Sequence, residues 1–394
     1  MVSSSESGRK GSVRAGALAG RRVVELADEK GLYCGKLLAD MGADVVKVER
    51  PGGDRTRDLR PHRTAETGPD RSLPFLYLNT SKRSVTLDLE EAADRERFAG
   101  LAAGADLVLE TCAPGRLDGL GLGYDALSAA NAKIVVTSIT DFGSTGPRAH
   151  WRGSDLVDSA LGGAMYVTGY PEDPPVTMAG VQAYVATGTC AAAASVIAMF
   201  DATRSGRGQH VDIAVTEVVA SVAHICGAGK YSSDGIVPKR FGTGLFASVP
   251  SGAYACKDGI IYLMVNRPAH WHALAGWINE VTGNREVLDP MFDGPSSVRQ
   301  PYRELLDLFI SEVTATMTVD ETYREAQRRH IAITPVNTAL GVTGDEHLDV
   351  RGFFVDVSHA DGVTLRYPGP PFRPALTPWS IRRRAPLPGE HDDE

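Results

Sequence analysis

Residues 21 to 49 constrain the fold more than any other stretch of the chain. Arg21-Arg22-Val23-Val24-Glu25-Leu26 reads as a strand. Residues 32 to 42 place Leu37, Leu38 and Met41 at helical spacing, with Gly42 to close the helix. Ala43-Asp44-Val45-Val46-Lys47-Val48-Glu49 reads as a second strand. Strand, helix and strand in so short a span form the repeating unit of a parallel sheet, because parallel neighbours need a crossover and a helix is the compact one. Pro51-Gly52-Gly53-Asp54 then marks a sharp turn.

The rhythm continues. Strands are predicted at Val85–Leu89, Leu107–Glu110, Lys133–Ser138 and 209–214, and helices at 91–103 and 183–204. Gly206 and Gly208 stop the last helix, and Arg204 and Arg207 suit its negative end. The expectation is an α/β fold with an open, mostly parallel, Rossmann-like sheet. From about residue 226 the rhythm weakens. Residues 226–334, with a hairpin-like Lys257-Asp258-Gly259, are expected to form a smaller α+β domain. Residues 18–225 and 335–394 would build the large domain, and 1–17, rich in Ser, Gly, Arg and Lys, a disordered tail.

Composition narrows the function. The chain has 394 residues and a formal charge of −8, with no long basic run, which argues against nucleic acid as a partner. The longest apolar stretch, around 188–200, reads as too short to span a bilayer, so no membrane partner is expected. No secretory signal is evident, and the chain reads as cytoplasmic. The five cysteines, Cys34, Cys112, Cys190, Cys226 and Cys256, are scattered without a CxxC pair, which supports neither a disulfide framework nor a zinc site. Gly is frequent, 42 of 394, which points to tight turns and close backbone approaches.

No P-loop, HExxH or nucleophile elbow is present. Gly242-Thr243-Gly244 followed by Ala247 matches a loose nucleotide-loop pattern, but reads better as a Gly-rich active-site loop. His270 and His272 alternate on a predicted helix and so face different sides, which favours packing and capping over a metal pair. Arg382-Arg383-Arg384 reads as a solvated charge run, with anion binding left open.

Several segments together resemble family III CoA-transferases, the CaiB/BaiF type that includes formyl-CoA transferase, benzylsuccinate CoA-transferase and the α-methylacyl-CoA racemases. They are Gly42–Glu49 with Pro51-Gly52-Gly53-Asp54 and Arg57, and Asn79–Val85 leading to Leu87-Asp88-Leu89. Glu110 with Pro114-Gly115 and Leu120–Tyr124 follows, then Gly143–Pro147, Arg204–Asp212 and Pro386–His391. The resemblance implies CoA thioester substrates, a carboxylic acid as second substrate, no metal and no tightly bound cofactor. It also implies an interlocked dimer, with itself or with a paralogous subunit. It places Arg50 against the nucleotide, with Lys82 and Arg83 as further cations, Thr111 and Cys112 beside the CoA, and Gly242 and Gly244 near the acyl end. Lys82 and Arg83 could instead pair with acids. Glu90 stands where some relatives carry Lys.

The same resemblance exposes a loss. The family's transferase chemistry uses an Asp that attacks the donor thioester and forms a mixed anhydride. That Asp lies four residues before a Gly in the helix leading to the Arg-x-Gly-Arg-Gly-Gln segment. Here the Gly is Gly188 and the residue before it at that spacing is Tyr184. Its phenol, with an ordinary pKa near 10 against about 3.9 for Asp, is no simple replacement, although a helix N-terminus could lower it. The racemases' His corresponds to Ser154, ahead of Asp155. Glu172 and Asp173 are better read as turn residues. The chain therefore reads as the nucleophile-lacking subunit of a heteromeric CoA-transferase. The alternatives are a homomeric acyl-CoA lyase or isomerase using Tyr184, and a non-catalytic acyl-CoA binding protein.

Overall fold

The computed structural model describes residues 15–63, 71–223, 225–245 and 248–394, and the side chains of 223–228 lie outside that description. The expected tail is therefore outside it except at residues 15–17. Gly16 packs against Met41 and Gly42, and Leu18 N–H donates to Met41 O at 3.0 Å, so the chain is anchored from that point.

The first compact unit comprises residues 1–164, 178–228 and 351–394. Its six strands are β1 (Arg22–Leu26), β2 (Asp44–Glu49), β3 (Arg83–Thr86), β4 (Leu107–Glu110), β5 (Val135–Thr140) and β6 (His210–Ala214). They pair in the order β3-β2-β1-β4-β5-β6, all parallel. This is the Rossmann order, with its reversal between β1 and β4. The third strand runs Arg83–Thr86 rather than Val85–Leu89, because Arg83 and Ser84 pair with Val46 and Lys47, leaving Leu87–Leu89 as the connecting loop.

Four helices position the site: α1 (Leu32–Asp40), α2 (Asp155–Leu161), α3 (Gln182–Ser205) and α4 (Val215–Val218). Helix α3 has 24 residues, long and apolar enough by length and composition alone to cross a membrane, but half of that span is buried against the rest of the molecule, as in a core helix. Its inward stripe, Tyr184, Thr187, Gly188, Ala191, Ala192, Ser195, Ala198, Met199 and Ala202, follows helical spacing and packs with α1 and the sheet. The small residues permit a close approach. A Cβ on Gly188 would lie 2.9 Å from Tyr33 Cβ and 3.0 Å from Cys34 N. Gly206, with φ 74°, closes the helix in the left-handed region.

The β1–β2–β3 side of the sheet is held by buried charges. Glu25 on β1 pairs with Lys82 at 2.7 Å and with Lys47 at 3.5 Å. Glu49 on β2 takes Arg57 at 2.5 Å and the Ser84 hydroxyl at 2.6 Å. The C-terminal segment returns here: Arg57 donates to Pro386 O at 3.0 Å, and His391 N–H donates to Ser84 O. The residues after 351 also form a hairpin, β10 (Phe354–Ser358) with β11 (Thr364–Pro368), which the Pro-rich sequence hid.

The second unit comprises residues 165–177 and 229–350, so the C-terminal return to the first unit begins at Arg351 rather than at 335. Strands β7 (Ser251–Ala255), β8 (Ile260–Met264) and β9 (Ile333–Pro335) form an antiparallel sheet, with the expected turn at Lys257-Asp258-Gly259. Trp271, Trp277, Phe292, Leu306 and Ile310 fill its core.

Two glycine variants separate packing from backbone effects. An Ala Cβ at Gly35 would lie 1.6 Å from Glu25 Oε2. Gly35→Ala is expected to lower stability by about 1–3 kcal/mol in urea unfolding. Gly100, exposed in the helix Ala92–Ala103 with open space at its Cβ position, gives the opposite sign. Gly100→Ala should gain about 0.5–1 kcal/mol.

Candidate functional site

Ligands of open α/β sheets bind beyond the carboxyl ends of the strands, where the strand order reverses. Here that place is the end of β1 and β4. Thr111, after β4, accepts the Asp28 N–H at 2.8 Å through its hydroxyl, and Lys47 donates to Ala27 O at 2.8 Å. These two bonds shape the loop 27–31. Beside it lies a cavity of about 480 Å³ lined by Leu26, Arg50, Leu89, Glu90, Cys112 and Arg116, among others. Arg50 is exposed, donates to Gly53 O at 3.2 Å, and makes no ion pair among the described residues. Its guanidinium is thus available to an anionic ligand. Arg116, which sequence reasoning did not single out, pairs with Glu90 at the same cavity.

Two of the expected cations are not available. Lys82 is 0% exposed and spends its donors on Glu25, on Leu32 O at 3.1 Å and on Asn79 Oδ1 at 3.0 Å. Burial lowers its pKa to about 8, against the pull of Glu25. Arg83 points along the sheet edge to Asp44 at 2.6 Å and to Glu394 at 3.2 Å. The pairing with acids is therefore what the structure shows for both, in the interior for Lys82. The triple arginine is also engaged: Arg382 donates to Ala39 O and Ala43 O at the end of α1, and Arg384 pairs with Glu390.

Cys112 lines both this cavity and a second one of about 250 Å³ on the same sheet face. Its N–H donates to Glu110 Oε2 at 2.6 Å, and burial with the Glu110 charge pushes its thiol far up, so it stays protonated. The second cavity holds a chain that sequence reading missed. Ser138 Oγ lies 2.8 Å from His210 Nε2 and also bonds Glu110, whose carboxyl burial raises.

Tyr184 occupies the third residue of α3 and is 6% exposed. Helix α3 has no capping side chain of its own at Val181. Asp155, the first residue of α2, caps it instead: its Oδ1 accepts the Tyr184 N–H at 3.1 Å, and the Ala183 N–H also bonds it. Burial raises the Asp155 carboxyl, and the two helix N–H groups oppose that shift. Ser154 caps α2, accepting the Val157 N–H at 3.4 Å, and is exposed.

The Tyr184 phenol is pushed far above its ordinary value by burial, then by the charges of Asp141, Asp158, Glu29 and Asp28. The helix N-terminus does not overcome this. Lys30 is the cation of the group, held to Asp28 at 2.8 Å, and Arg55 pairs with Asp28 at 2.9 Å and with Glu29 at 3.2 Å. Sequence reading gave these acids no role beside Tyr184, because they are distant from it along the chain. Asp141 sits just beyond the carboxyl end of β5, which is the one positional signal it carried.

Gly242 and Gly244 belong to the second unit. Gly242 has φ +64° and lies over the Tyr170 ring, and Gly244 packs against Ser251 O and the Arg303 guanidinium. Ala247, the end of that loose motif, is outside the described residues. His272 pairs with Asp293 at 3.0 Å, and Trp271 between the two histidines is core.

The model of a family described as CoA-transferase family III matches residues 18–392. Subunit BbsE of succinyl-CoA:(R)-benzylsuccinate CoA-transferase from Thauera aromatica is 38% identical over 95% of this chain and 92% of its own length. Succinyl-CoA:mesaconate CoA-transferase from Haloarcula hispanica is 32% identical over 96% of this chain and 95% of its own. The crystal structure of a CaiB/BaiF family protein from Brucella suis superimposes with a TM-score of 0.85 at 31% identity, covering 96% of this chain and 98% of that one.

Two measurements check the site. Asp155→Ala should cost about 0.5–2 kcal/mol in urea unfolding through the lost cap of α3, with Asp155→Asn retaining most of it. In an ultraviolet difference titration, wild type and Tyr184→Phe should show the same phenolate signal up to pH 10, because Tyr184 remains neutral there.

Proposed function

The chain belongs to CoA-transferase family III and is a CoA-transferase, and from that premise we propose that it is the nucleophile-lacking subunit of a heteromeric enzyme. The observation that carries this reading is Tyr184, a buried and neutral phenol at the position that the family resemblance assigns to the attacking Asp. A neutral phenol neither attacks a thioester nor forms a mixed anhydride. It can donate a hydrogen bond. The Asp155 cap beneath it is intact, so the scaffold of the site stands without its reactive group.

Succinyl-CoA is the proposed donor thioester, from the relatives named for it, and a dicarboxylic acid such as benzylsuccinate the proposed acceptor. Arg50, with no competing acid, is the proposed contact for the CoA phosphates, with Thr111 and Cys112 beside the pantetheine. An Asp-bearing paralogue would supply the nucleophile. The outer face of α3 is consistent with a protein partner: Ile197 is 67% exposed and Phe200 62%. Two relatives are themselves named as subunits, BbsE and the alpha subunit of succinyl-CoA–L-malate CoA-transferase of Chloroflexus aurantiacus.

The reading is tested by expressing the chain alone and together with an Asp-bearing paralogue. Alone it should bind succinyl-CoA and form no acyl-enzyme by mass spectrometry; together they should transfer CoA. Full transfer by the isolated chain, with a trapped adduct, would overturn it. Arg50→Ala should weaken CoA binding by roughly ten- to a hundredfold, the loss of one charge-assisted contact worth about 1.5–3 kcal/mol. Tyr184→Asp should not make the isolated chain a full transferase, because the new carboxylate would join four others and be driven toward its neutral form.

A further inference from the structure

Asp141 and Asp158 come from different elements, the end of β5 and the body of α2, and their carboxyl groups lie within hydrogen-bonding reach of each other. Each has one oxygen accounted for. Asp141 Oδ2 accepts the Gly153 N–H at 3.3 Å, with the Gly153 backbone pressed so close that a Cβ there would lie 2.5 Å from Asp141 Cγ. Asp158 Oδ1 lies 3.1 Å from the Thr216 hydroxyl at the start of α4. The remaining oxygens, Asp141 Oδ1 and Asp158 Oδ2, are fully buried and receive no donor among the described residues.

Two ionised carboxylates cannot satisfy this arrangement. Neither facing oxygen has a hydrogen to give, and among the described residues no cation forms an ion pair with either acid; Lys30, the nearby cation, is paired with Asp28 at 2.8 Å and acts on them only from a distance. A single proton between them removes both the unsatisfied acceptors and the repulsion. Thr216 points the same way. Its hydroxyl is 2.9 Å from Asp141 O and 3.1 Å from Asp158 Oδ1, yet it carries one hydrogen. Whichever of the two acceptors takes it, that hydrogen does not reach Asp141 Oδ1 or Asp158 Oδ2, so the hydrogen that these two oxygens need comes from the pair itself.

We propose that Asp141 and Asp158 hold one proton between them on the acid side of neutral pH and thereby set the charge offered to an acidic acyl group beside Tyr184. The second half of that statement rests on the CoA-transferase reading of the site; the first does not. The pair is not a nucleophile. Asp158 is 0% exposed and acts on a ligand only through the field at Tyr184, so both are positioning residues. Burial, then the Asp141 charge, lifts Asp158 to about 7. The titratable and charged neighbours are Lys30, Asp28 and Glu29 from the loop after β1, with Arg55 behind them, the neutral Tyr184 from α3 and, on α4, the exposed Glu217.

The sign follows by linkage. Below about pH 4 Asp158 is protonated in both the folded and the unfolded chain. Between about 4 and 7 the unfolded chain, with an ordinary Asp near 3.9, has lost a proton that the folded chain keeps, so stability falls as pH rises through that window. Asp158→Asn is nearly isosteric, abolishes the dependence, and should gain on wild type in Tm from pH 5 to pH 8. Infrared difference spectra at pH 6 should show a deuterium-sensitive carboxylic acid C=O band in wild type that is missing in Asp158→Asn.

For ligands, the probes are succinyl-CoA and acetyl-CoA, which differ in the distal carboxylate, titrated by calorimetry into the intact chain. Relative to acetyl-CoA, succinyl-CoA affinity should fall by roughly tenfold from pH 6 to pH 8 in wild type and stay flat in Asp158→Asn, the effect of one added charge in a poorly screened site. Absence of the infrared band, or a wild-type pH dependence of Tm in Asp158→Asn, overturns the shared proton. A band with identical pH responses for the two esters overturns its role toward the acyl group. If neither ester binds at any pH, the acyl-CoA reading fails, while the band and the Tm profile still decide the pair.

Discussion

The sheet depends on one buried carboxylate. Glu25 lies within β1 with no solvent contact and binds Lys82 at 2.7 Å and Lys47 at 3.5 Å. Removing one partner from such a group leaves a charge stranded in a poor dielectric, which is far costlier than the pair is worth. The sheet edge is thus held by an interaction that fails as a unit. Lys47, on β2, also donates to Ala27 O and so fixes the loop 27–31 that leads into the site. Gly35 is required on α1 because any Cβ there would collide with the carboxylate. Sheet, helix and site loop are therefore tied to the same ion.

That constraint explains where the ligand cations can be. A lysine that follows a family-like motif invites a role toward phosphate, and Lys82 does follow one. Its ammonium instead faces inward, because the segment 79–82 turns under the sheet edge, with Ser81 at φ 64°. What remains at the reversal of strand order is Arg50, exposed and without an acid partner, with Arg116 across the cavity. The net charge of the chain is irrelevant to this, since a phosphate responds to the guanidinium within reach and not to distant screened carboxylates.

The parallel sheet, its long helix and the change of character near residue 226 were legible because hydrophobic periodicity and glycine placement are local signals. The site was legible only in part. Tyr184 stood out by spacing from Gly188, which is local too. The acids around it were not, since Asp28, Asp141 and Asp158 meet only once β1, β5 and α2 deliver them to one end of the sheet. The hairpin β10–β11 was hidden by the surrounding prolines, which mark turns but say nothing of short strands between them.

Those acids also bear on why the position tolerates a tyrosine. An Asp at 184 would be the fifth carboxylate around one partly dry space that holds a single engaged lysine. Each added negative charge raises the pKa of the others, so the neutral form gains and nucleophilicity declines. A phenol fills the volume, keeps a hydrogen-bond donor and adds no charge. The substitution and the acid cluster are thus consistent with each other, and each makes reversal of the other less favourable. On the proposed reading, a chain so arranged retains the shape of a reaction centre while a partner subunit supplies the group for the covalent step.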